Sequence, residues 1–214
     1  MEKHDSLQII FIRHAETNYQ DIADRDPSDG ELTATGEQQC VALGEKLKDQ
    51  PIDAYFTSSL LRSFKTAVGV CKAKSDEPLL EICPELVECG CTPGYYGCSE
   101  AYLQRYYKNT KMCEKLFGTE TYEFGCEAFE DNVARAEKVI SYIKNRFSYG
   151  NRVAVFSHHG FLEYLIPVAL GVQPHVFRFA LDNVSMTVVD FCRDGNAVLR
   201  CVNKQGNGQN GLLL

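Results

Sequence analysis

QIIFIRHAETN, residues 8–18, is the stretch on which the reading of this chain turns. Ile9, Ile10, Phe11 and Ile12 form an unbroken apolar run, rich in β-branched residues and too short for a helix of its own. It predicts a strand buried on both faces. The run stops at Arg13 and His14. A guanidinium and an imidazole are costly to bury without partners, so either the strand simply surfaces there or the pair is held ready for a ligand.

Working outward, the chain alternates. Residues 20–31, with Pro27 and Ser28-Asp29-Gly30, read as a loop. Thr33 is placed to cap a helix whose inner face is Cys40, Leu43 and Leu47, with Pro51 beyond its end. Residues 54–57 read as a second strand, followed by a helix capped by Ser58 or Ser59 with Leu60, Phe64, Ala67 and Cys71 facing inward. Residues 79–82 form a further extended piece. Residues 84–98 are too rich in Gly, Pro and Cys for regular structure, and a helix is expected from about 100 to 116. Phe129, Val133, Ala136, Ile140, Ile143 and Phe147 recur at helical spacing. Residues 152–156 predict a buried strand and 161–170 an interior helix. Two strands follow, 185–191 and 197–202, turned by Asp194-Gly195.

Strands alternating with helices predict an α/β three-layer sandwich with a mainly parallel central sheet flanked by helices. The 214 residues are compatible with a single domain carrying an inserted cap at about 84–126 and a flexible tail at about 204–214. Hydrophobic and charged fractions of 44% and 24% are those of an ordinary globular protein. A formal net charge of −7 argues against a nucleic-acid or anionic-membrane partner. With no apolar run long enough to span a bilayer and no signal-peptide pattern in MEKHDSLQ, a cytoplasmic location is expected. The ten cysteines are then expected to be reduced thiols. Cys83, Cys89, Cys91 and Cys98 match no common zinc spacing, so no metal is expected there.

In parallel sheets ligands bind outside the carboxyl ends of the strands. Three strands here end in reactive residues: the first at Arg13-His14, the second through Ser58 into a helix bearing Arg62, the third at Ser157-His158-His159-Gly160. If these strands are neighbours, two arginines and two or three histidines converge in an acidic protein, a constellation suited to phosphate. Arginine offers a planar fork of donors, helix N-termini add N–H groups, and a neutral imidazole is a competent nucleophile once one ring nitrogen is fixed as donor.

RHAET at 13–17, LTATGEQQ at 32–39, SSLLRSFKTA at 58–67, ELVE at 85–88 and VFSHHG at 155–160 together resemble the ordered motifs of the histidine phosphatase superfamily, phosphoglycerate mutase-like branch. The resemblance implies a phosphohistidine formed on His14, with Arg13, Arg62 and His158 completing the phosphate pocket, no metal and no cofactor. Thr17, Gln20 and His159 are candidate substrate contacts, His159 being equally compatible with a narrowed pocket or an exposed ring with no role, and the resemblance implies a proton donor at Glu88, with Glu85 and Glu16 as rivals. A group serving as general acid must hold its proton near working pH, which implies an acidic optimum. The chain departs from the family at Ala15 and His159, where glycine is usual, and at Gln20, where asparagine is common.

These features imply a metal-independent phosphomonoesterase. A cofactor-dependent phosphoglycerate mutase is the alternative, and a non-catalytic phosphate-binding or scaffold module the second. A mutase needs cations for a second anion, and the cap's Arg105, Lys108, Lys111 and Lys115 have the spacing of a solvated helix face. Tyr95, Tyr96, Tyr102, Tyr106 and Tyr107 either pack the cap or line the cleft. The second case favours an aryl phosphate or phosphotyrosine, the first a small phosphorylated metabolite. Oligomeric state is not legible from composition.

Overall fold

The computed structural model describes residues 5–18, 30–90, 97–114, 116, 127–176 and 178–205. β1 (Ser6–Arg13) is buried along nearly its whole length, and its side chains divide between two cores. Ile9 and Phe11 pack with α4 (Phe129–Arg146) and α5 (His159–Ala169). Ile10 and Ile12 pack with α1 (Ala34–Lys46) and α2 (Leu61–Lys74). The same alternation runs through β2 (Ala54–Thr57) and β5 (Arg152–Ser157): Phe56, Val153 and Val155 face one layer, Tyr55, Ala154 and Phe156 the other. The result is the three-layer sandwich that the double-faced apolar run requires. Each buried Ile, Val or Phe among them contributes roughly 1.5–3 kcal/mol of burial free energy.

The remaining strands are β3 (Leu80–Ile82), β4 (Thr110–Met112), β6 (Met186–Cys192) and β7 (Ala197–Lys204). Sheet order is β4-β3-β2-β5-β1-β6-β7. Pairing is parallel from β4 to β1 and antiparallel at β6 and β7. The central three strands, β2, β5 and β1, are therefore the three that end in reactive residues. No helix among the described residues is long and apolar enough to cross a membrane.

Two local expectations are corrected. The helix expected over 100–116 is only one turn, α3 (Glu100–Leu103), capped by Ser99, and the chain then enters β4. Tertiary pairing overrides propensity: β3 would otherwise expose an edge, and Asn109 O, Ile82 O and the Glu100 carboxylate take up the N–H groups of Leu80, Cys113 and Met112. Neither Ser58 nor Ser59 caps α2, whose N-cap is Leu60 without a side-chain bond. Ser58 Oγ instead accepts from Leu60 N and pairs with His158 Nε2 at 2.9 Å.

The described tyrosines of the expected cap pack on the α1/α2 side of the sheet. Tyr102, Tyr106 and Tyr107 join that core, and Tyr107 OH donates to Pro78 O at 2.8 Å. Tyr95, Tyr96, Cys91, Lys115, Gln20 and the last nine residues of the tail lie outside the described residues. Cys40, Cys71, Cys83, Cys98 and Cys113 are buried thiols, and Cys89, Cys192 and Cys201 half-buried ones.

Candidate active site

β1 and β5 run in register, Arg13 opposite Ser157. His14 N donates to Ser157 O at 2.9 Å, so the first residue beyond β1 is pinned to the end of β5. The His14 ring is buried, and its Nδ1 lies 2.8 Å from Ala15 O. A carbonyl can only accept, so Nδ1 carries the proton and Nε2 carries the lone pair. Burial, then the Arg62 charge, drives the imidazole's pKa down from 6.5 to about 3. The ring is therefore neutral at any ordinary pH. Ala15, where the family has glycine, keeps a negative φ, and its N–H donates to Thr66 Oγ1 at 2.9 Å. Alanine is therefore accommodated without strain.

His158, also fully buried, faces His14 with ring centroids 5.2 Å apart. Burial first, then Arg62 and His14, hold its pKa well below the ordinary value. Arg62 reaches the same point from the first turn of α2, and Gly30, at φ 103°, lies against its stem: a Cβ there would fall 2.6 Å from Arg62 Cβ. Arg13 is steadied by one bond, Nη1 to Leu181 O at 2.6 Å.

Among the described residues six buried side-chain polar atoms lack a partner. Four belong to this cluster: Arg13 Nε, Thr17 Oγ1, Arg62 Nε and His158 Nδ1. An unmet buried donor costs about 1–3 kcal/mol. Four on adjacent motifs, two of them cationic, describe a site that an anion with several acceptor oxygens would complete. The groove of about 500 Å³ between α1 and α2 contains none of these residues.

The three candidate acids separate by their partners. Glu16 accepts from Thr33 Oγ1 at 2.6 Å, beside the start of α1, and Glu85 accepts from Leu116 N at 2.9 Å and Cys83 Sγ at 3.4 Å, near the end of β3. Glu88 lies on the first turn of α5. Its Oε1 accepts from Phe161 N (2.8 Å) and Cys89 N (2.9 Å), its Oε2 from Gly160 N (3.2 Å). A Cβ on Gly160 would fall 2.6 Å from Glu88 Oε1, which explains glycine there. His159 Nε2 lies 3.2 Å from Phe179 O, and the residue is close enough for its charge to act on His14. Three supports went unread in the sequence: Thr66, which also donates to Arg62 O; Asn183, whose Nδ2 donates to His14 O at 2.8 Å; and Arg135 on α4. Thr66 lies inside the 58–67 motif, whereas Asn183 and Arg135 sit in no local pattern that marks them.

The described geometry has counterparts in known proteins. A phosphoserine phosphatase of Hydrogenobacter thermophilus is 23% identical over 201 residues, 91% of each chain. A solved structure from Escherichia coli, assigned as an alpha-ribazole-5'-P phosphatase, superposes with a TM-score of 0.69 at 23% identity, covering 94% of this chain and 99% of that one. A phosphoserine phosphatase variant of Entamoeba histolytica, solved with phosphoserine, gives a TM-score of 0.62 at 21% identity over 92% and 96% of the two chains. These likenesses match the fold. The family profile of the histidine phosphatase superfamily (branch 1) spans residues 9–204, the interval that holds every motif above. The chain belongs to the histidine phosphatase superfamily, branch 1, and is a phosphatase of that family.

Proposed function

We propose that the protein is a metal-independent phosphomonoesterase acting through a phosphohistidine on His14, with a small phosphorylated metabolite of the phosphoserine type as substrate. The observation that carries this reading is the fixed tautomer of His14, held neutral by burial beside Arg62 and Arg13 with their unmet Nε donors. In the first step Nε2 attacks phosphorus, the P–O bond to the leaving group breaks, and Glu88 gives its proton to the departing oxygen. In the second, Glu88 takes a proton from water as the water oxygen attacks phosphorus and the N–P bond electrons return to Nε2. The Nδ1–H stays on Ala15 O throughout. Arg13 and Arg62 neutralise the phosphoryl charge, and Thr17 and His158 help hold its oxygens.

Hydrolysis is favoured over mutase exchange because Arg105, Lys108 and Lys111 are exposed, Arg105 lying 5.2 Å above the Tyr102 ring on the α1/α2 side. The packing of Tyr102, Tyr106 and Tyr107 against that core favours a small aliphatic ester over an aryl one. The relatives named for phosphoserine support the same substrate class. The test is phosphate release from a panel of phosphomonoesters in chelator across pH. Release with an acidic optimum, led by phosphoserine-like esters and reduced at least about 10⁴-fold in His14→Ala, is the expected outcome. Undiminished release by His14→Ala would overturn it.

A further inference from the structure

Glu88 itself is held by a residue whose helical position gives no hint of it. Arg135 is fully buried on α4, and all five N–H donors of its guanidinium are engaged. Nε and Nη2 grip the two Glu127 oxygens at 2.6 and 2.7 Å, and Nη2 also donates to Asn132 Oδ1 at 3.0 Å. Nη1 donates to the carbonyls of Glu85 and Val87, each at 2.8 Å. Leu86 O, between them, accepts from Ser157 Oγ at 2.7 Å. Three consecutive carbonyls leading to Glu88 are thus fixed from two sides, by α4 and by the residue preceding His158. The guanidinium also stacks over Phe161, 3.7 Å from the ring centroid, and Phe161 N is itself a donor to Glu88.

Burying a guanidinium with its carboxylate rarely gains stability over an apolar pair of the same volume. The helix does not need the charge for anchorage, since Ala136, Val139, Ile140 and Ile143 already bury its inner face. What the charge adds is direction: a flat fork that fixes two carbonyls a residue apart. We propose that Arg135 is the positioning residue for Glu88, setting the backbone of residues 85–89 so that the carboxyl group sits on the first turn of α5 beside His158. This inference rests on the reading of Glu88 as the proton donor.

The experiment compares Glu88→Gln, Arg135→Lys and the double replacement Arg135→Met with Glu127→Leu. The double variant removes both buried charges together and strands neither. kcat/KM is measured for two esters: phosphoserine, whose alkoxide needs a proton to leave, and p-nitrophenyl phosphate, whose phenolate leaves without one. The ratio between the esters is independent of the folded fraction. Glu88→Gln is expected to lower the phosphoserine value about 10²–10³-fold and the p-nitrophenyl value less than about 5-fold. Both Arg135 variants are expected to show the same selectivity, about 10–100-fold on phosphoserine. If Glu88→Gln is selective but the Arg135 variants lower both esters equally, Arg135 only supports the fold and the inference fails. If Glu88→Gln shows no selectivity, the donor assignment fails first and takes the inference with it.

Discussion

The two ends of the parallel strands treat buried arginine nitrogens in opposite ways. At the amino end, Arg152 donates through Nε to Gln8 (2.6 Å) and through Nη1 to Gln50 and Pro51 O (3.0 and 3.3 Å). Gln8 in turn donates to Asp190, which also takes Arg200 Nε at 2.6 Å. At the carboxyl end, Arg13 and Arg62 keep buried Nε atoms without protein acceptors, beside an imidazole nitrogen and a hydroxyl in the same condition. A network closed by its own side chains holds the fold together. One left open by the fold is completed by a ligand, and here the missing partner has the charge and acceptor count of a phosphate.

Exchanging one arginine at each end sharpens the contrast most. Arg62→Ala is expected to lower kcat/KM about 10²–10³-fold with thermal stability little changed, because it removes a buried Nε donor that has no protein acceptor. Arg152→Ala is expected to leave kcat of the folded enzyme intact and to lower stability by about 3 kcal/mol, since Gln8 loses its partner in a buried network. Steady-state kinetics with denaturant unfolding separates the two. Equal destabilisation, with activity merely following the folded fraction, would remove the distinction.

The ends should also differ in acid sensitivity, because the imidazoles lie at one of them. His14 has a folded pKa of about 3, below the 6.5 of the unfolded chain, so the unfolded state takes up the proton first. Stability is unaffected above about pH 6.5 and falls as pH drops toward 3, by up to about 1.4 kcal/mol per pH unit for each such imidazole. His158 shifts the same way and adds to the slope. Unfolding free energy measured across pH should therefore decline less steeply in His14→Ala than in the parent protein. An unchanged slope would locate acid sensitivity elsewhere.

The smallest effect expected is at Gly160. A methyl group there meets the Glu88 carboxylate, the far end of a flexible side chain, so Gly160→Ala should fold normally and displace the acid. A loss of about 10-fold in kcat/KM on an aliphatic ester, with p-nitrophenyl phosphate spared, is the expected result. Equal loss on both esters would mean that the methyl group disturbs His158 rather than Glu88.

The sheet and the pocket were legible because their signals are local. Ile9 to Ile12 had to be a strand between two layers, and Arg13-His14, Arg62 and His158 stand at the ends of neighbouring elements whatever their exact bounds. What escaped the sequence depends on partners far along the chain. β4 exists because β3 needs an edge partner, and its residues show no clean alternation. Ser58 looked like a helix cap because nothing nearby reveals His158, one hundred residues on. Arg135 lies one stripe aside from the apolar face of α4, where a charge reads as solvent-facing; its acceptors, apart from Asn132 and Glu127, are two carbonyls and the Cys89 sulfur some fifty residues earlier. His159, one residue past His158, has one ring nitrogen 3.2 Å from Phe179 O, a partner twenty residues on that the sequence does not reveal.

The most direct test of the account is to mix enzyme with labelled substrate, quench in alkali within a turnover, and map the label by peptide mass spectrometry. Alkali preserves a phosphohistidine, whereas acid releases it. An acid-labile phosphoryl group is expected on His14, chased into inorganic phosphate at the rate of turnover and absent from His14→Ala. Label on Ser58 or another side chain, or full turnover with no labelled protein at any time, would contradict it.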